Sequence, residues 1–164
     1  MSDSMKQIDT ESAKLPIIRN FLLALFLLGI AGNGMELLLI EHMEEIFQLV
    51  PMVLMGISLI VLIWFLIWKS PVILRIFQQT MNLFIVSGFA GSWLHYSVNA
   101  EFEQEMYPSL GGFDLFWEAI QGSTLPTLAP GAMILLGLTG LVFAYKHPIL
   151  SAASERKHKP IGEA

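Results

Sequence analysis

Residues 47–68 read FQLVPMVLMGISLIVLIWFLIW, without a single charge. As a helix rising about 1.5 Å per residue, this run reaches about 33 Å, a little more than the ~30 Å hydrocarbon core of a bilayer. It therefore predicts a helix that crosses a membrane. Working outward, 21–40 is a second run of this kind, preceded by Arg19 and Asn20. A third, 72–96, follows Ser70 and Pro71, which suit a helix N-cap and first helical position. A fourth, 126–145, ends before Lys146, His147 and Pro148, and its start is blurred by Pro126, Pro130 and Gly131.

Composition agrees. The chain of 164 residues is 54% hydrophobic and 14% charged, whereas soluble domains carry roughly 25% charged residues. That excludes an ordinary soluble surface, and the apolar content excludes disorder. The absence of cysteine excludes disulfides, thiolate metal sites and cysteine nucleophiles. A net charge of −5 argues against nucleic acid or anionic lipid as a partner; the expected surroundings are lipid, and the short basic tail at 156–159 suits the inner leaflet better than nucleic acid.

The basic residues orient the plan. Lys6, Lys14 and Arg19 precede the first run, Lys69 lies between the second and third with Arg75 in the first turn of the third, and Lys146, Arg156, Lys157 and Lys159 follow the fourth. All nine fall on one side, which the positive-inside rule makes cytoplasmic. The expected location is a bacterial inner (plasma) membrane with both termini in the cytoplasm. Residues 1–34 also imitate a signal peptide, but Asp3, Asp9, Glu11 and the apolar resumption at 35–40 favour an uncleaved first helix. The fold expected is all-α. One membrane domain over 1–164 forms a four-helix bundle, with polar, mobile tails at 1–14 and 151–164.

Between the third and fourth runs, 99–109 reads as an acidic loop. Phe113, Phe116, Trp117 and Ile120 then recur at i, i+3, i+4 and i+7, an amphipathic helix suited to the outer interface. The stretch 122–131, with two prolines and flanking glycines, either lies outside the membrane or re-enters it as irregular backbone. The latter is tolerated only where protein or water covers it.

Polar residues supply the candidate chemistry. Glu36 interrupts an apolar run, a position that is functional by default unless it reaches the interface. With His42, Glu45 and His95 it makes an imidazole–carboxylate set on the outer side, which suits a divalent transition metal or proton handling. The spacing matches no known metal motif, and a solvated polar rim explains the same residues. Arg75, Gln78, Gln79 and Asn82 form one stripe on the third run, read as snorkelling at the headgroups or as a vestibule or partner contact. Gly88, Gly91 and Ser92, and Gly137, Gly140 and Ala144, have the spacing of close helix packing in lipid.

No phosphate loop, nucleophile elbow or catalytic triad is present, so an enzyme is the least favoured class. Three functions are ranked. First is an accessory subunit of a larger membrane complex, with a membrane-protein partner or a second copy of itself. Second is a transporter of ions, protons or metals using Glu36, His42 and His95. Third is a membrane-embedded metalloenzyme.

Overall fold

In the computed structural model, described for residues 2–41, 45–122, 126 and 129–152 with side chains from Lys14 onward, the chain is all-helical. Its elements are α1 (Ser2–Leu39), α2 (Ile46–Trp68), α3 (Pro71–Met106), α4 (Gly112–Gln121) and α5 (Gly131–Ala144). α1, α2 and α3 are each long and apolar enough to cross a membrane, whereas α5 is a shorter apolar helix. Their outward faces are apolar. Leu28 of α1, Ile60 and Ile67 of α2, and Val86 and Phe89 of α3 are all exposed, as expected of an integral membrane protein whose solvent is lipid.

α2 follows its sequence run closely. It ends at Lys69, whose left-handed backbone (φ 47°) lets its N–H reach the Phe65 carbonyl at 2.7 Å. α3 begins as its capping residues dictate: the Ser70 hydroxyl accepts the Val72 N–H at 3.3 Å, with Pro71 behind it.

Three boundaries differ from the sequence reading. α5 is Gly131–Ala144 and not 126–145, its start held back by Pro126 and Pro130. α1 runs back to Ser2 through the stretch expected to be a tail; residues 2–15 contain no glycine or proline to stop a helix. α3 continues ten residues beyond Tyr96, through much of the expected loop, to Met106. Asn99 and Glu103, one turn apart, are buried there, and the Asn99 amide donates to the Ala119 carbonyl of α4 at 3.1 Å. The tertiary contact with α4 overrides the polar composition, and no breaker occurs before Pro108. At 36 residues, α3 is about 54 Å long. One end must therefore leave any ~30 Å core, and α4 folds against that end.

α5 packs against α3 and α1, while α2 packs on α3. The core is a chain of rings. Phe26 of α1 meets Phe77 of α3 edge-on at 5.6 Å, Phe77 meets Phe143 of α5 at 6.0 Å, and Phe143 meets Phe65 of α2 at 6.4 Å. Edge-to-face pairs at these separations add to the stabilisation from burial. Among the described side chains, no buried polar atom lacks a hydrogen-bond partner.

Candidate functional site

The polar residues expected at the outer side take separate positions. Glu36 sits in the last turn of α1 with its side chain exposed. Glu45 is the N-cap of α2 and forms a capping box with Gln48, whose Oε1 accepts the Glu45 N–H at 3.2 Å. Its place is thus explained by helix initiation. His95 is partly buried on α3, and its Nδ1 lies 3.0 Å from the Pro126 carbonyl. A carbonyl only accepts, so the proton sits on Nδ1, and the ring ties α3 to the segment before α5. His42 lies outside the described residues. Among the described residues no three His, Asp or Glu side chains converge as metal ligands.

Gly88 and Gly91 of α3 and Gly137 and Gly140 of α5 line a single seam, each facing bulkier residues across it. A Cβ on Gly88 of α3 would lie 2.5 Å from Ile134 Cγ1 and 2.9 Å from the Pro130 carbonyl oxygen; one on Gly91 would lie 2.9 Å from Pro130 Cβ. From the other side, a Cβ on Gly137 of α5 would meet the Met81 carbonyl oxygen at 2.7 Å, and one on Gly140 would collide with the Met81 sulfur. Ala144 is buried beyond them and Ser92 partly so. These small residues bring α3 and α5 together within the chain.

The opposite end of the bundle holds a site that the linear reading did not assemble. Arg19 of α1, Lys69 after α2 and His147 after α5 line one cavity of about 290 Å³, whose inner wall includes Leu23, Phe65 and Phe143. Arg19 Nη2 donates to the Lys146 carbonyl at 2.8 Å and approaches that of Tyr145 at 3.5 Å. A cation from α1 thus stands at the negative end of α5. The His147 ring is packed edge-on against Phe65 at 5.4 Å, and its Nδ1 accepts the Ile149 N–H at 3.4 Å. Burial, and secondarily the Arg19 charge, hold its pKa below the usual imidazole value. The available signal was that all three basic groups border the ends of apolar runs on the side with excess positive charge.

No family model matches the chain, and neither a curated protein nor a solved structure shows detectable similarity to it. The functional reading therefore rests on the residues themselves.

Proposed function

We propose that the protein is an accessory subunit of a larger membrane complex. It is a four-helix bundle with both termini cytoplasmic, working through helix–helix contact. The observation that carries this reading is a polar stripe on the outward face of α3. Arg75, Gln79 and Asn82 are all exposed and continue, at helical spacing, into exposed Val86, Phe89 and Trp93. Asn82 lies seven residues past Arg75, about 10 Å further along the axis, and so within the hydrocarbon if Arg75 marks the headgroup level. Its amide has one long contact, Nδ2 to Gln79 Oε1 at 3.5 Å. An amide facing hydrocarbon is costly, whereas the same amide facing another helix is an adhesive. The stripe is what a partner helix would cover.

The arrangement also supports the orientation. Arg19 of α1, Lys69 after α2 and His147 after α5 line one cavity, as alternating spans with a common positive side require. The transport and metalloenzyme readings gain no converging ligand set among the described residues.

Native electrophoresis of membranes carrying the full-length tagged chain tests the proposal. A species well above the 18.3 kDa chain is expected, shifting down in Gln79→Leu/Asn82→Leu and staying in place in Glu36→Gln and His95→Ala. A wild type that runs alone, or a double variant that leaves the species unchanged, overturns it. Masses at multiples of the chain identify a homo-oligomer as the complex.

A further inference from the structure

We propose that the cavity framed by Arg19, Lys69 and His147 binds a phosphate group, and specifically the headgroup of an anionic phospholipid. Two cationic side chains and an imidazole, from three different segments, line it together with the Asn20 amide, and no carboxylate is among its lining residues. Arg19 is held by the carbonyls at the end of α5 through Nη2, which leaves Nε and Nη1 as donors in a fixed orientation. Both bidentate forks of a guanidinium include Nη2, so a phosphate here would take single charge-assisted hydrogen bonds from Nε or Nη1. His147 accepts a backbone N–H at Nδ1, so its neutral ring keeps the proton on Nε2, a further donor. Lys69 is exposed at the rim and supplies a mobile point charge.

Apart from Asn20, the remainder of the cavity lining is apolar. Leu23, Phe65 and Phe143 form the inner wall, and Leu66 both lines the cavity and stays exposed. A free phosphate would use the cations and leave this wall wet. A lipid would place its headgroup among the cations and lead its acyl chains out past Leu66 onto the apolar face of α2. Converging positive groups without a counter-charge repel one another where the dielectric is low, and a bound anion reverses that. The inference does not depend on a protein partner.

The test is native mass spectrometry of the detergent-solubilised full-length chain with dioleoyl phosphatidylglycerol, dioleoyl phosphatidylcholine or inorganic phosphate added. Preferential retention of phosphatidylglycerol is expected. Lys69→Gln is the direct variant. Lys69→Gly is the decisive one, because it removes the ammonium while easing a left-handed backbone, so that lost binding is not lost folding. Removing one such charge should weaken binding about fivefold. Binding of inorganic phosphate with the same Lys69 dependence and no lipid preference supports the anion site and assigns it a soluble occupant. Equal retention of both lipids with no phosphate binding, or phosphatidylglycerol affinity unchanged in Lys69→Gly, overturns the proposal.

Discussion

Gly88→Ala adds one methyl group at the closest approach of α3 and α5. The new Cβ would stand 2.5 Å from Ile134 Cγ1, 2.9 Å from the Pro130 oxygen and 3.0 Å from the Ile134 nitrogen, against an ordinary carbon contact of about 3.5–4.0 Å. The Ile134 side chain can rotate away, but the other two atoms are backbone, so α5 itself must back off. Overpacking of this kind costs about 1–3 kcal/mol, and a rigid obstacle places Gly88 at the upper end. The better helix propensity of alanine returns about 1 kcal/mol. The net expectation is a loss of about 2 kcal/mol. Gly56→Ala is the reference, because a Cβ there meets nothing within 4 Å and should gain up to about 1 kcal/mol. Gly29→Ala should fall between them, since its Cβ meets only the end of the Leu136 side chain. Unfolding in mixed micelles of rising denaturing-detergent fraction, followed by helical circular dichroism, measures all three. If Gly88→Ala proves as stable as Gly56→Ala, the two helices are not packed at this separation and the reasoning fails.

Other predictions follow from single contacts and from topology. Asn99→Leu leaves the Ala119 carbonyl without the amide that now donates to it at 3.1 Å; a loss of about 1–3 kcal/mol and faster hydrogen exchange in α4 are expected. His147 has a pKa depressed in the folded chain, so the unfolded state takes up its proton first as pH falls. Stability should be level above the unfolded value of about 6.5 and decline below it. His147→Gln should flatten that decline in pH-dependent unfolding. The chain has no cysteine, so single cysteines report topology cleanly. Those at Ser4 and Ser151 should react with impermeant maleimide only after the cytoplasmic side is opened, and one at Ser109 should react in intact cells.

Much of the helical plan was readable because it depends on local information. The uncharged run at 47–68 became Ile46–Trp68, the aromatic spacing after Gly112 became Gly112–Gln121, and Ser70 with Pro71 opened α3. The extension of α3 to Met106 was not readable, because Asn99 and Glu103 are buried by a helix that folds back from further along the chain. Glu36 shows another limit: one carboxylate in an apolar run does not reveal which way its helix faces, and its side chain is exposed. The basic cavity was hidden by distance along the chain. Arg19 bonds to a carbonyl 127 residues away, and Arg19 and Lys69 separately had a sufficient explanation in membrane orientation.

The central claim, that the outward stripe of α3 is a helix-binding surface, is tested most directly by photo-crosslinking in living membranes. A photoreactive residue is placed in turn at Gln79, Asn82, Leu83, Val86 and Phe89, with exposed Ile63 of α2 as reference. The account predicts protein–protein adducts of one defined mass at Gln79, Asn82, Val86 and Phe89, weak at Leu83 and absent at Ile63. Lipid adducts alone, or equal yields at every position, would contradict it.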